Sequence, residues 1–279
     1  PEGCYYAEIS DANATTCTVN SDTVCLVDPA AITFTTTPTD ATCFGTCDGQ
    51  VAWTSTGGTG TIASELFLQG TPDISQGSTN PTTGLCPGDY FVFHTDDNGC
   101  VVNSDTVTVD EPTVIVGTTS GTDPLCNGDN TGSVAVLVVG GSGAYSVEWF
   151  TDAGVSTGLF GTTVNNQLPA GCYYAEITDV IAPACSVNSD TVCLSDPAAL
   201  LTTITPVDEQ CNSSCDGSAT AVVSGGTGTL TVSWFVDPTA VSAGPDGLSI
   251  PDLCADDYFS VTTDDNGCTD TTFFTINPA

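Results

Sequence analysis

Apolar and polar positions alternate in short runs along this chain, and no apolar stripe recurs at helical spacing. Thr106-Val107-Thr108-Val109, Ser146-Val147-Glu148-Trp149 and Thr231-Val232-Ser233-Trp234 show the pattern, rich in the β-branched and aromatic residues that suit a pleated surface. In the stretch 30–112 the pattern predicts strands at 31–37, 49–54, 62–69, 89–95 and 101–110, with one or two short ones within 70–85. Gly-Gly and Asp-Asn-Gly sites between the runs are turns, where a positive φ costs little. Six or seven short strands in such a stretch fit a β-sandwich. No apolar run is long enough to span a bilayer. The chain has neither a signal peptide nor an initiator Met, so it is expected to be an internal piece of a larger product.

The pattern repeats, and the repeat sets the domain plan. A shift of 168 residues lays the chain on itself: Pro1–Ala31 matches Pro169–Ala199 at 23 of 31 positions. Each period holds two related units that end at Pro29, Pro112, Pro197 and Pro278. The expected organisation is an all-β chain of immunoglobulin-like sandwiches stacked end to end. A C-terminal remnant of a truncated module occupies 1–29, and type-one, type-two and type-one modules occupy 30–112, 113–197 and 198–279. In each full unit a leading cysteine (Cys43, Cys126, Cys211) precedes a strand, then GGTG or GGSG starting at Gly57, Gly140 and Gly225. A large apolar residue follows the leading cysteine by 23 positions (Leu66, Trp149, Trp234), and then Phe67, Phe150 or Phe235. Strand alternation puts Trp149 and Trp234 in the core and the following ring on the opposite face. The joints at Pro29, Pro112 and Pro197 carry no flexible linker, which predicts little swing between modules.

Composition narrows the function. The chain has 34 acidic residues, no Lys or Arg and one His, for a net charge of -34. No Lys/Arg phosphate clamp can form, and nucleic acid and anionic membranes repel such a surface. The 40% hydrophobic content separates it from disordered acidic tails. Fifteen cysteines point to an oxidising compartment. Zinc fits less well: CxxxC occurs at Cys43/Cys47 and Cys211/Cys215, but the other thiols form no tight knuckle pairs.

Comparison of the two unit types suggests a bridge scheme. The leading cysteine and the one at the late turn recur in both types, which gives Cys43–Cys100, Cys126–Cys185 and Cys211–Cys268. The remainder give Cys47–Cys86 and Cys215–Cys254 in type one, and Cys172–Cys193 and Cys4–Cys25 in type two. Cys17 is left over, its partner expected before residue 1. A bridge typically stabilises by about 2–4 kcal/mol, so seven imply a stiff, protease-resistant rod.

Catalytic chemistry is thin. His94 is the sole histidine, its repeat counterpart is Thr262, and it alternates along a strand after Phe91 and Phe93. It reads as structural, and the chain as no enzyme and no user of a cofactor. Asp96, Asp97 and Asn98, repeated at Asp264, Asp265 and Asn266, supply hard oxygen ligands of the kind calcium takes, though not in EF-hand spacing. They are either calcium ligands or solvated turns. Trp53, absent from the equivalent positions, is a candidate exposed aromatic for a carbohydrate-binding face. The sequons at Asn13 and Asn212 are expected by chance in a Ser/Thr-rich chain.

The ordered set CFGTCDGQVAWTSTGGTG, CPGDYFVFHTDDNGC and the DEP end resembles the SprB repeat of Bacteroidota surface adhesins. CNGDNTGSVAVLVVGGSGAYSVEWF and LPAGCYYAEITD in the middle unit resemble it more closely. The resemblance implies a stalk segment of a long repetitive adhesin or surface filament, exported to the cell surface and used for attachment or gliding motility. The alternative is a calcium-dependent or carbohydrate-binding adhesion module. Implied partners are neighbouring modules of the same chain, other filament chains, surface polysaccharide or a cell-surface anchor. Asp-Thr-Val resembles an O-glycosylation signal of such bacteria, which would place sugar on Thr23, Thr106 and Thr191.

Overall fold

A computed structural model describes residues 1–182, 184–211 and 213–279. Asn212, one of the two sequon asparagines, lies outside the described residues. The chain forms two compact units, Pro1–Val114 and Ile115–Ala279.

The first unit opens with two antiparallel pairs, Gly3–Tyr5 with Val24–Leu26 and Glu8–Asp11 with Ala14–Asn20. Their apolar side chains are exposed, Ile9 at 59% and Leu26 at 55%, whereas Ile177 and Leu194, 168 positions on, are core residues. A sandwich follows. One sheet has Thr33–Thr39, Gly49–Thr56 and Thr82–Leu85. The other has Ala63–Leu68, Ile74–Gly77, Gly88–Thr95, Val101–Asn103 and Val107–Val109. The second unit holds two sandwiches of the same plan. The first pairs Val116–Thr122, Gly132–Val139 and Thr163–Leu168 in one sheet, against a sheet centred on Tyr145–Thr151 and Gly171–Asp179. The second pairs Leu201–Val207, Gly217–Ser224 and Ser249–Leu253, against a sheet centred on Thr231–Val236 and Asp256–Thr263. The architecture is all-β and immunoglobulin-like, and each sandwich has its own core.

The expected strand 101–110 is broken. Ser104 Oγ accepts the Val92 N–H at 2.8 Å and donates to the Asp105 carbonyl, so the side chain replaces a ladder bond. Ser189 does the same to Ala175, and Ser21 to Ala7. The third sandwich lacks this serine and runs unbroken over Thr269–Ile276.

The cores compensate in volume between modules. Trp149 and Trp234 are 0% and 1% exposed, as alternation requires, and their counterpart Leu66 is 0% exposed. On the facing sheet, Leu66 shares its core with Trp53, whereas the equivalent residues beside Trp149 and Trp234 are Val136 and Ala221. Trp53 is therefore a core residue at 7% exposure, and its candidacy as an exposed ligand platform is corrected. Its size makes up for the smaller Leu66, because interiors tolerate swaps that conserve volume. A second level shows the same trade. His94 stacks on Phe34 at 5.4 Å between centroids, Thr262 bonds Thr202 at 2.7 Å, and Ile177 packs over Gly117, where a Cβ would lie 2.2 Å from Ile177 Cδ1. His94 is fully buried with Nδ1 2.7 Å from Ser64 Oγ, and burial pushes its imidazole pKa down.

Candidate functional site at the module joint

The features that recur in every module gather at its two ends. In the first sandwich the chain comes in at Ala30, whose carbonyl accepts the Gly58 N–H at 2.8 Å. This end is termed the head. The carboxylate of Asp96 accepts the Thr59 N–H at 2.9 Å, the Asn98 N–H at 3.0 Å and the Cys100 N–H at 2.8 Å, which ties the late turn to the same end. Asp97 accepts the Thr61 N–H at 2.9 Å. The other end, the tail, holds the leading loop. Ala41 N–H donates to the Asp110 carbonyl at 2.8 Å, Asp110 N–H to Asp40 Oδ1 at 3.0 Å, and Gly45 N–H to Glu111 Oε2 at 2.5 Å.

The other sandwiches repeat this arrangement. Asp264 accepts from Thr227, Asn266 and Cys268, and Asp265 accepts from Thr229. Asp179 accepts from the Ser142 amide and hydroxyl, Ile181 and Ala182. At the tails, Ser195 N–H donates to Asp123 Oδ1 at 2.8 Å and Asn277 N–H to Asp208 Oδ1 at 2.8 Å. The GGxG motif follows from these contacts. A Cβ on Gly57 would lie 2.1 Å from the Ala31 carbonyl oxygen, and one on Gly228 would lie 2.1 Å from Asp265 Oδ2.

Five of the six candidate calcium residues thus have other side-chain partners, and the sixth, Asn98, gives its backbone N–H to Asp96. Asp96, Asp97, Asp264 and Asp265 spend carboxylate oxygens on backbone amides, and a cation there would compete with those donors. Asn266 instead donates Nδ2–H to the Leu125 carbonyl of the preceding sandwich at 3.1 Å. Among the described residues no group of three His, Cys, Asp or Glu could hold a metal ion.

Amides aimed at an ionised carboxylate favour the charged form. The Ser142 hydroxyl, with the Ser142, Ala182 and Ile181 amides, holds Asp179 at about 2, below its ordinary 3.8. The Cys100 amide, then the Thr59 amide, lowers Asp96 in the same way, and at Asp264 the amides outweigh an opposing push from burial. Because the folded value lies below the unfolded one, this stabilisation is complete above about pH 4 and is lost as pH falls towards 2. Asp179→Asn replaces an acceptor-only group with one that carries its own N–H donors. It is expected to lower the Tm of the 113–197 module at pH 7 and to flatten its acid transition; an unchanged melting curve from pH 7 to pH 2 would remove this role from Asp179.

The cysteines divide according to the two ends. Cys47–Cys86 and Cys215–Cys254 are bonded at the tails of the type-one modules. Cys4–Cys25 and Cys172–Cys193 are bonded between directly opposed strand residues. The three expected bonds between leading and late-turn cysteines do not form. Cys126 is bonded to Cys268 of the next sandwich, which removes both Cys126–Cys185 and Cys211–Cys268. Cys100 is a free thiol, which removes Cys43–Cys100; Cys43 and Cys185 are each disulfide-bonded, and Cys17 and Cys211 are free. The physical reason is distance. Leading and late-turn cysteines of one module sit at opposite ends of strands of seven or eight residues, a span of about 23–26 Å. Bridged Cα atoms lie within about 7 Å of each other.

The joint between the two sandwiches of the second unit therefore has two ties across it, the Cys126–Cys268 bond and the Asn266–Leu125 bond, while Asn127 Nδ2–H holds the connecting Pro197 by its carbonyl at 2.9 Å. Thr23, Thr106 and Thr191, the glycosylation candidates, lie exposed at the serine-made strand breaks. Each sandwich also carries a stacked cross-strand ring pair on its outer face: Phe67–Phe91, Phe150–Tyr174 and Phe235–Phe259.

No curated protein sequence matches this chain. Among solved structures it is similar to the N-terminal eight immunoglobulin domains of Down syndrome cell adhesion molecule isoform 1.30.30, at 10% identity and a TM-score of 0.39, over 98% of this chain and 40% of that one. It is also similar to three N-terminal domains of the highly immunogenic outer capsid protein of bacteriophage RB49, at 12% identity and a TM-score of 0.39, over 89% of this chain and 100% of that one. The full ectodomain of mouse nectin-like molecule 4 is similar at 12% identity and a TM-score of 0.30, over 78% of this chain and 94% of that one. The family model that matches is the SprB repeat, over residues 118–154, a stretch that contains the leading loop of Cys126, the GGSG turn and Trp149.

Proposed function

We propose that this chain is a stalk segment of a long, repetitive extracellular adhesin or surface filament, serving attachment or gliding motility. The observation that carries this reading is the disulfide Cys126–Cys268, which ties one sandwich to the next. A covalent cross-brace at a joint resists bending and pulling, which a load-bearing stalk needs and a globular binding domain does not. Disulfides persist outside the reducing cytosol. Without Lys or Arg, and with acidic groups in every module, the surfaces of parallel chains repel one another, which favours single extended strands over bundles. The SprB repeat fits the same reading. The partners are neighbouring modules of the same chain, with a surface anchor or polysaccharide reached elsewhere in it. O-linked sugar on Thr23, Thr106 and Thr191 belongs to this proposal and is readable by mass spectrometry of the native protein. The reading itself is tested by immunogold electron microscopy of the producing cells, with antibody raised against this segment. Gold at intervals along fibres outside the cell is the expected result; gold confined to the cell interior would overturn the proposal.

A further inference from the structure

The free thiols follow a rule that the bonded ones reveal. The Cys126–Cys268 bond joins a leading cysteine, at the tail of one sandwich, to the late-turn cysteine at the head of the next. Cys211 is the leading cysteine of the last sandwich, in the position Cys126 has in its own. Cys100 is the late-turn cysteine of the first sandwich and the repeat counterpart of Cys268. Both are exposed and unbonded.

Neither has a partner it can reach within its own module. The Cys211 loop is held at the tail by the Cys215 N–H to Glu209 Oε1 at 3.0 Å and the Glu209 N–H to the Asn277 carbonyl at 3.2 Å. The Cys100 turn is held at the head by Asp96. The groups around each thiol are also those that meet at the existing bond. Asn266, two residues before Cys268, donates across that joint to the Leu125 carbonyl. Asn98 has the same place before Cys100, and the Gln210 carbonyl has the place of Leu125 before Cys211.

We propose that Cys211 and Cys100 are open halves of the same cross-joint bond: Cys211 takes the late-turn cysteine of a module that follows, and Cys100 takes the leading cysteine of a module on its head side. The partner of each thiol is thus another module of this kind. Every joint of a longer run is then closed by a disulfide as well as by the backbone. Each bond forms from two thiols, which lose two protons and two electrons. The electrons reduce a disulfide oxidant of the extracytoplasmic space to two thiols. The inference rests on the tandem-module part of the proposed function and not on adhesion or motility.

The test lengthens the chain by one module. A copy of residues 113–197 is appended after Ala279, both chains are expressed under oxidising conditions, and free thiols are labelled with a maleimide before non-reducing peptide mapping. In the 279-residue chain the label is expected on Cys17, Cys100 and Cys211. In the lengthened chain the label leaves Cys211 and appears on the appended copy's counterpart of Cys126. A new peptide joins Cys211 to the counterpart of Cys185. Replacing that counterpart by Ser returns the label to Cys211. The inference is overturned if Cys211 stays labelled while the appended copy forms its own counterpart of the Cys172–Cys193 bond, which shows that the copy is folded. A Cys211–Cys268 peptide would overturn it as well. Either failure leaves the cell-surface reading standing, because immunogold labelling tests that separately.

Discussion

Trp149→Ala is expected to destabilise the 113–197 module by about 3–5 kcal/mol, the usual cost of removing a large aromatic from a well-packed core. The ring is fully buried between the two sheets, among Val134, Val147, Val164 and Ile177. Its Nε1–H donates to the Gly161 carbonyl at 2.9 Å, so the substitution also orphans an acceptor. For a module of this size the loss corresponds to a fall of roughly 12–40 °C in its own Tm. Calorimetry reads the effect. Trp149→Phe keeps most of the volume and is expected to lose only the hydrogen-bond part, about 1–2 kcal/mol. A Trp149→Ala protein that melts within a few degrees of the parent would show that this core does not carry the module. Trp234 makes the same bond to the Gly247 carbonyl, so its substitution should act alike on the last module.

Cys126→Ser is the second large effect. The bond closes 142 residues of chain, and the chain-entropy estimate for such a loop is about 5 kcal/mol. Each sandwich has its own core, so the loss should appear as uncoupling. The 113–197 and 198–279 modules would melt separately, and the Asp196–Pro197–Ala198 joint would become open to protease. Cys268→Ser should do the same, whereas Cys211→Ser should leave both readouts unchanged. The reverse pattern, uncoupling by Cys211→Ser with Cys126→Ser silent, would refute the assignment.

Much of the fold is legible in the residues themselves. Alternation locates the strands, and the 168-residue repeat locates the modules. The 23-residue spacing from each leading cysteine finds Leu66, Trp149 and Trp234, because strand period and turn length fix which side chains face inward. Two things are not legible from any one position. The first is Trp53. Its absence from the other modules marks it as special, but the cause is compensation for Leu66 on the opposite sheet, and volume balance across a core shows only when both positions are compared. The second is the partner of each recurring cysteine. Recurrence shows that Cys43, Cys126 and Cys211 matter as a class and does not say which end of the sandwich each occupies. Strand direction holds that signal. The leading cysteine comes after one pass along the sandwich and the late-turn cysteine after a pass back, so the two lie a strand length apart. The acidic turns leave two readings open in the sequence for a related reason. Asp and Asn in a turn suit calcium by residue type, yet here the nearest donors are the backbone amides of the neighbouring Gly-Gly turn.

Leading and late-turn cysteines lie at opposite ends of a module, and Cys126 accordingly pairs across a joint with Cys268. Non-reducing peptide mapping of the 279-residue chain, after its free thiols are blocked, tests it most directly. A peptide joining Cys126 to Cys268 is expected, with Cys17, Cys100 and Cys211 blocked. A peptide joining Cys211 to Cys268, or Cys43 to Cys100, would contradict it.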